Sequence, residues 1–203
     1  VRGSLARFNL DYYRPLGNPT RFIHALLQHF SRAKDEEVWP EDYLKYAEGL
    51  KLNTDSDIGG DPEDIKRLHE IADAYHVYQQ LLLEQGVFDF GDLINYTLKL
   101  LRERPRVLAE LRRKFKYILV DEFQDTNYAQ YELAKLLAAP TNNVTVVGDD
   151  DQSVYAFRGA SMSNILQFKD DFPEARKVFL TENHRSFQGI LDHAYRFIQL
   201  NNP

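Results

Sequence analysis

Apolar residues recur every three or four positions through the first half of the chain, a spacing that is typical of amphipathic helices. The first stripe begins at Phe22, and we expect Thr20 to cap its helix. Pro40 opens a second helical stripe. A longer third stripe begins near Pro62 and ends at Gly86, a residue that often terminates helices.

Two further helices are predicted before residue 116. One follows the segment Phe88-Asp89-Phe90-Gly91-Asp92, and its Asp side chains are suited to capping the helix that comes next. The other runs from Pro105 to about Lys114. The pattern therefore predicts a mostly helical region up to about residue 115.

From Tyr117 onward, short β-branched runs alternate with helical stripes. In chain order the pattern predicts a strand at 117–120, a helix at 128–138, a strand at 144–147, a helix at 162–171, a strand at 177–180 and a helix at 187–200. Alternating strands and helices are typical of a parallel sheet. Because parallel strands place their carboxyl ends at one edge, we expect the turns after them to converge.

The amino-acid composition excludes several kinds of site and of protein. The chain has 203 residues, 43% of them hydrophobic, and it contains no Cys, so disulfides and thiolate metal sites are excluded. No apolar run approaches the length of a transmembrane helix, and we expect a cytoplasmic protein with no membrane partner.

The net charge of −6 does not favour a simple nucleic-acid binder. Lys and Arg are nevertheless concentrated in one stretch, between residues 99 and 116. Eight of them lie there: Lys99, Arg102, Arg104, Arg106, Arg112, Arg113, Lys114 and Lys116. This basic stretch is either a phosphate-binding surface or a solvated helix face.

Polar segments follow each predicted strand. Asp121 and Glu122 come directly after the first, and hard carboxylate oxygens suit Mg²⁺. In such a pair one carboxylate holds the metal and the other accepts a proton from an attacking water, and we assign these roles to Asp121 and Glu122 respectively. Asp-Glu by itself is more typical of an ordinary acidic turn after a strand.

Longer motifs around these residues narrow the interpretation. Asp-Glu-Phe-Gln-Asp-Thr-Asn at 121–127, Gly-Asp-Asp-Asp-Gln-Ser-Val-Tyr-Ala-Phe-Arg-Gly-Ala at 148–160 and Asn-His-Arg-Ser at 183–186 occur in that order. Together they resemble superfamily 1 helicases of the UvrD/PcrA/Rep group. The last segment departs from the group's usual Asn-Tyr-Arg-Ser. No Gly is followed by Lys, so no P-loop is present, and we expect this sequence to be a piece of such a helicase.

The resemblance implies roles for residues after the second strand. Gln152 is expected to sense the γ-phosphate, since an amide can both donate and accept hydrogen bonds. Tyr155 and Phe157 are expected to stack on DNA bases, although either ring could instead belong to the core. Arg158 is expected to contact DNA or to brace the acidic motif. Asp149 and its acidic neighbours are expected to be partly structural.

The Asn-His-Arg-Ser segment is expected to complete the nucleotide site. The resemblance implies that Arg185 contacts the γ-phosphate across a cleft between domains, because a guanidinium matches phosphate oxygens in pairs. His184 takes the place of the family's Tyr, which stacks on adenine. An imidazole offers less area, so we expect weaker adenine affinity.

The resemblance also implies a fold and an activity. We expect an α/β protein with a partial RecA-like parallel sheet domain and a mostly α-helical inserted domain, divided as 1–115 helical insert, 116–176 first RecA-like domain and 177–203 start of the second. The expected activity is that of a DNA helicase or translocase that requires ATP and Mg²⁺ and moves 3′ to 5′. The expected substrates are single-stranded DNA and its junctions with duplex DNA, and DNA repair proteins are expected as further partners. The alternative is a non-catalytic module that binds DNA or a partner.

Overall fold

The computed structural model describes residues 1–52, 61–152 and 163–199. Eight α-helices and two β-strands lie within these ranges, together with short 3-10 helices at Arg2–Arg7, Phe123–Asp125 and Asp150–Gln152. In chain order the elements are α1 (Ile23–Asp35), α2 (Pro40–Leu52), α3 (Pro62–Gln85), α4 (Phe90–Glu103), α5 (Pro105–Lys114), β1 (Ile118–Val120), α6 (Tyr128–Ala138), β2 (Val144–Val146), α7 (Ser163–Asp171) and α8 (Gln188–Ile198).

The helical region is built around an aromatic core between α1 and α3. Phe30 of α1 stacks on Tyr75 and Tyr78 of α3, with ring centroids 5.0 and 5.4 Å apart. Glu70, also on α3, is buried and accepts backbone hydrogen bonds from residues 11–13, which fixes the N-terminal segment against this helix. Burial of this much aromatic surface is the main stabilising contribution in this part of the chain.

A buried charge cluster joins α1 to the start of α4. Lys34 is 2% exposed, and its ammonium lies 2.7 Å from Asp89 Oδ2 and 2.9 Å from Asp92 Oδ1. Asp89 and Asp92 also form a reciprocal capping box at the start of α4, which confirms the predicted helix-capping role. Tyr78 and Gln79 each donate a further hydrogen bond to these carboxylates.

The sheet has two parallel strands, β1 and β2, in the register Ile118 to Val144 and Val120 to Val146. Helix α6 connects them, and its start at Tyr128 and end at Ala138 match the prediction, as do both ends of α5. Phe123 is 3% exposed and packs edge-on against Tyr131 of α6. These observations confirm an α/β fold with a parallel sheet.

Helix α6 is also the element against which the helical region packs. Arg112 of α5 donates two hydrogen bonds to the backbone oxygen of Leu136, and Asn127, the residue before α6, donates to Asp35 at the end of α1 at 2.6 Å. Arg102 of α4 pairs with Glu37 and lies 3.7 Å from Glu132. The position of the strand-end loops therefore depends on the helices.

Two sequence predictions are wrong. Residues 177–180 form no strand; Phe179 and Leu180 are 72% and 86% exposed, and no ladder hydrogen bond joins them to β1 or β2 in the described ranges. An extended apolar run forms a strand only where a neighbouring strand can satisfy its backbone groups.

Thr20 does not cap α1 either: the helix begins after Phe22, and Thr20 donates to the Asn18 side chain instead.

No helix in the described ranges is long and apolar enough to cross a membrane.

Candidate functional site

The carboxyl ends of β1 and β2 meet at one edge, as the sequence predicts. Val147 N donates to Val120 O at 2.8 Å, and Phe123 N donates to Val147 O at 2.9 Å. The ladder therefore continues past both strands and holds the loop that follows β1 beside the loop that follows β2. Asp121 and Glu122 lie on the first loop, and Asp149 lies on the second.

Asp121 and Glu122 are both exposed at this edge. Glu122 adopts a left-handed backbone conformation, with φ 50° and ψ 46°, and its N–H donates to Asp121 Oδ1 at 3.0 Å. A non-glycine residue in this region costs on the order of 1–3 kcal/mol, and such residues recur at active sites; Glu37 and Asn142 also have positive φ, away from this edge. The turn directs two carboxylates to solvent with few protein partners, which leaves their oxygens free for a ligand.

The loop that carries these carboxylates is held in place by side chains of α6 and α7. The Phe123 ring packs between Tyr131 of α6 and Phe168 of α7, with centroid distances of 5.4 and 5.6 Å. Asn164 is 1% exposed and donates to the backbone oxygen of Thr126 at 2.9 Å. The apolar and amide groups of the motif thus fix its backbone, while its first two residues remain accessible.

Gln152 ends the 3-10 helix after β2, and its amide nitrogen donates to Asp149 Oδ2 at 2.6 Å. The other oxygen of Asp149 accepts from the backbone N–H of Asp151 at 3.1 Å. Asp149 therefore holds the loop together, which confirms the structural role expected for Asp149. Gln152 itself is exposed at the same sheet edge as Glu122.

Gln124 has no role predicted from the sequence, yet its side chain is 1% exposed and contacts both loops. Its amide nitrogen donates to Glu122 Oε2 at 2.8 Å, and its amide oxygen accepts from Asp149 N at 3.1 Å. The only sequence signal is its position two residues after the expected general base. The sequence pattern is the same for a glutamine that bridges two loops and for one that faces solvent.

The Asn-His-Arg-Ser segment is not assembled with these loops. Asn183 Oδ1 accepts from the backbone N–H groups of Arg185 and Ser186, both at 2.9 Å, so the segment forms a local turn. His184 lies 3.5 Å from Glu182 and is 83% exposed. Within 1–52, 61–152 and 163–199, no hydrogen bond or ion pair joins Arg185 or His184 to Asp121, Glu122 or Gln152.

The three residues expected to contact DNA, Tyr155, Phe157 and Arg158, lie outside the described residues. The basic stretch between residues 99 and 116 is only partly free in solvent: Arg102 and Arg112 are engaged with α6 or its neighbours, and Lys99 lies 5.4 Å from the Trp39 ring centre. The exposed remainder includes Arg104, Arg106, Arg113, Lys114 and Lys116.

In the part of the chain that the structure describes, no group of three or more His, Asp or Glu side chains is placed to enclose a metal ion. Mg²⁺ is usually held by one or two carboxylates together with waters and substrate phosphates. The exposed Asp121 carboxylate, with hard oxygens and no buried cation beside it, fits that mode of binding.

Comparison with known proteins gives the same assignment as the motifs. Residues 9–173 match the family model described as UvrD/REP helicase N-terminal domain. The chain is 41% identical over 202 residues to the ATP-dependent DNA helicase PcrA of Bacillus subtilis (strain 168), covering 99% of this chain and 24% of that protein. It is 44% identical over 201 residues to PcrA of Staphylococcus epidermidis, covering 99% and 25%.

PcrA of Leuconostoc citreum is 42% identical over 177 residues, which cover 87% of this chain and 22% of that protein. The chain thus spans about a quarter of the length of these curated relatives. The family model covers α1 to α7, both strands and the two loops that follow them. The chain belongs to the UvrD/Rep helicase N-terminal domain family.

Proposed function

We propose that this chain supplies the catalytic carboxylates and the phosphate sensor of an ATP-dependent DNA helicase or translocase. The single observation that carries the proposal is the adjacency of two loops: Asp121 and Glu122 after β1, and Gln152 after β2, joined by strand and side-chain hydrogen bonds. Its relatives of the PcrA type are named ATP-dependent DNA helicases, which supports the same activity here.

Glu122 acts as the general base in this proposal. Its carboxylate is exposed and has one amide donor, on Oε2, so the other oxygen can accept a proton from a water that attacks the γ-phosphate. Positioned proton transfer of this kind contributes about 10²–10⁴-fold to rate. The left-handed backbone at Glu122 directs this side chain away from the packed face of the loop.

Asp121 is the proposed ligand for Mg²⁺. When bound with ATP, the metal neutralises charge that develops on the phosphate oxygens. The Asp121 oxygens lie at the end of β1, where they accept only the Glu122 N–H among the contacts of the described residues. This separation of roles predicts that loss of Asp121 weakens nucleotide binding, whereas loss of Glu122 mainly lowers turnover.

Gln152 is the proposed link between the nucleotide and DNA. Its amide can bond a water or a phosphate oxygen, and Tyr155 and Phe157 follow it within five positions along the chain. We propose that these rings stack on bases of single-stranded DNA, at about 1–3 kcal/mol for each base, and that Arg158 contacts DNA or braces the loop.

Arg185 and His184 are proposed to complete the site from the opposite side. Both are exposed and lie on a local turn, so they are available to a nucleotide bound at the strand ends after a rearrangement. Arg185 would contact the γ-phosphate, and His184 would stack on adenine with less area than a Tyr. The proposed division at about residues 115 and 176, into a helical insert and parts of two RecA-like domains, accommodates this movement.

The proposed direction of movement is 3′ to 5′ along single-stranded DNA, with junctions to duplex DNA as substrates and DNA repair proteins as further partners. The cytoplasmic location also stays a prediction. Each of these follows from the resemblance to the UvrD/PcrA/Rep group and is tested separately from the chemistry.

The test is a chimeric helicase in which this chain replaces the matching quarter of PcrA from Bacillus subtilis. We expect ATP hydrolysis that is stimulated by single-stranded DNA, and unwinding of duplexes with a 3′ tail but not a 5′ tail. The 203-residue chain alone should not hydrolyse ATP, because no P-loop lysine is present in it to stabilise charge on the transferred group.

A folded chimera that binds ATP but does not hydrolyse it with DNA present would contradict the proposal. It would favour the alternative, a non-catalytic module that binds DNA or a partner. Binding of labelled single-stranded DNA to the 203-residue chain tests the stacking role separately: Phe157→Ala should weaken this binding by about 1–3 kcal/mol, the value of one stacked base. An unchanged affinity for single-stranded DNA would indicate that the Phe157 ring packs in the protein core and not on a base.

A further inference from the structure

Gln124 is the buried polar side chain at the centre of the candidate site. It is 1% exposed, although it lies two residues from the exposed Glu122. Both ends of its amide are engaged: the nitrogen donates to Glu122 Oε2 at 2.8 Å, and the oxygen accepts from Asp149 N at 3.1 Å. One side chain therefore spans the loop after β1 and the loop after β2.

The backbone around the amide leaves it little room. A Cβ atom added at Gly148 would lie 2.9 Å from Gln124 Oε1 and 3.4 Å from Gln124 N. Such a contact would force the Gln124 amide to shift, so the absence of a side chain at Gly148 lets the backbone pack directly on the amide. The glycine after β2 and the glutamine after β1 thus fit each other.

The hydrogen-bond donor and acceptor that face Gln124 fix the orientation of its amide. Its oxygen faces a backbone N–H and its nitrogen faces a carboxylate, and a half-turn of the amide would oppose two donors at one end and two acceptors at the other. Both hydrogen bonds would then be lost from a site that water does not reach, which is costly. Gln124 therefore has one stable orientation while both loops keep their positions.

The bridge continues to the proposed phosphate sensor. Asp149, whose N–H donates to Gln124, accepts from the Gln152 side chain at 2.6 Å. The four residues Glu122, Gln124, Asp149 and Gln152 form an unbroken series of hydrogen bonds from the proposed base to the proposed sensor. Displacing Gln152 displaces the Asp149 backbone, and the amide of Gln124 carries that displacement to one oxygen of Glu122.

We propose that Gln124 is a positioning residue that orients the Glu122 carboxylate and couples it to the loop of Gln152. This rests on the proposed function, since it deepens the roles given there to Glu122 and Gln152. Gln124 holds Oε2 of Glu122 and leaves the other oxygen for the attacking water. A residue with a purely structural role would stabilise the loops without affecting the orientation of that carboxylate.

The chimera with PcrA of Bacillus subtilis tests the catalytic part. In Gln124→Glu, a second carboxylate takes the place of the donor beside Glu122, while the remaining acids of the two loops are unchanged. Oε2 of Glu122 then loses its hydrogen bond and meets a like charge, so the carboxylate should turn away from the position of the attacking water. We expect kcat at neutral pH to fall by about 10- to 100-fold with a smaller change in KM for ATP.

Gln130→Glu is the matched control. Gln130 forms the capping box with Asn127 at the start of α6, a position in which Glu serves equally well, and it is exposed. The same chemical change three residues beyond Asn127 should leave both kcat and the KM for ATP unchanged. If Gln124→Glu in a folded chimera also leaves kcat unchanged, the positioning role is wrong.

A second measurement uses the 203-residue chain itself. Amide hydrogen exchange of Asp149, followed by NMR, should accelerate at least tenfold in Gln124→Ala and not in Gln130→Ala, since only the first removes the acceptor of that N–H. If Gln124→Ala does not fold, Gln124→Glu retains an acceptor and should leave the exchange slow. Exchange of Asp149 that is unchanged in folded Gln124→Ala would overturn the inference.

The two experiments separate failure of this inference from failure of the proposed function. An unmodified chimera that binds ATP without hydrolysing it contradicts the proposed function, and the exchange of Asp149 then still decides whether Gln124 bridges the loops. An active chimera in which Gln124→Glu and Gln130→Glu behave alike leaves the proposed function intact and contradicts the role of Gln124.

Discussion

Asp89 and Asp92 lie against a buried lysine at the start of α4, whereas Asp121 and Glu122 lie exposed at the end of β1. The first pair receives Lys34, Tyr78, Gln79 and two backbone N–H groups, so its oxygens are occupied by the protein. The second pair receives one backbone N–H and one side-chain amide. Occupied carboxylates stabilise a fold, and carboxylates with unoccupied oxygens are available to a ligand.

The pKa of Asp89 shows how complete the first arrangement is. Burial by itself would raise the pKa of this carboxyl, but hydrogen bonds from Lys34, from the backbone of Asp92 and from Tyr78 hold it below its ordinary value. A buried acid with a lowered pKa has its charge compensated by its partners. The two acid pairs therefore differ in function although both occur in Asp-rich motifs that are evident in the sequence.

The largest effect on stability is expected from Lys34→Met. Removing the ammonium leaves Asp92, which is 1% exposed, as a buried charge opposite Asp89. We expect the free energy of unfolding to fall by about 3–5 kcal/mol, measured by urea denaturation. Lys45→Met is the control, because Lys45 is 76% exposed and its partner Asp42 lies 3.6 Å away; a comparable loss in both would contradict the account.

Gly91→Ala should disturb the same cluster by steric contact. An added Cβ would lie 2.7 Å from Lys34 Cβ and 2.9 Å from Lys34 Cδ, so the lysine would have to shift away from both carboxylates. We expect a loss of about 1–3 kcal/mol in the free energy of unfolding. Gly49→Ala, in α2 with nothing within 4 Å, should instead be neutral or stabilising.

The junction between α1 and α6 should depend on pH. Burial raises the pKa of Asp35 from 3.8 to about 6, despite the hydrogen bond from Asn127. Since the folded state binds the proton more tightly, this contribution to stability is present below about pH 4 and is lost as pH rises through about 6. Asp35→Asn should therefore stabilise the chain by on the order of 1 kcal/mol near pH 8 and have little effect near pH 4, as thermal melts at both pH values would show. A gain of equal size at both values would assign the effect to something other than titration.

The smallest effect on stability is expected at the exposed pair. Asp121→Asn and Glu122→Gln keep an acceptor for the Glu122 N–H and for the Gln124 amide, so each should change the free energy of unfolding by less than about 0.5 kcal/mol. Urea denaturation beside Lys34→Met gives the contrast directly. A loss of several kcal/mol at Glu122 would mean that this carboxylate is structural.

Local signals in the sequence predicted much of this fold. Both ends of α5 and α6 were correct because Pro105 and the capping box of Asn127 are encoded within a few residues. The edge where Asp121 and Asp149 meet was correct because parallel strands leave no other arrangement. These features depend on short-range geometry, which periodicity and capping residues describe well.

Features that depend on distant neighbours were not predictable in the same way. The apolar run at 177–180 has a strand pattern but no strand beside it in the described ranges. A lysine late in a surface helix is ordinarily exposed, and Lys34 is buried because the start of α4 packs against it. Gln124 likewise acquires its two partners only because β2 places Asp149 beside the loop after β1.

The proposed role of Glu122 as the base for ATP hydrolysis is tested by the hydrolysis rate of the Glu122→Gln chimera with PcrA of Bacillus subtilis. Turnover with single-stranded DNA should fall by about 10²–10⁴-fold while binding of Mg²⁺·ATP stays within about threefold, because the substitution removes a proton acceptor and not a ligand. Turnover equal to that of the unmodified chimera would show that Glu122 is not the base.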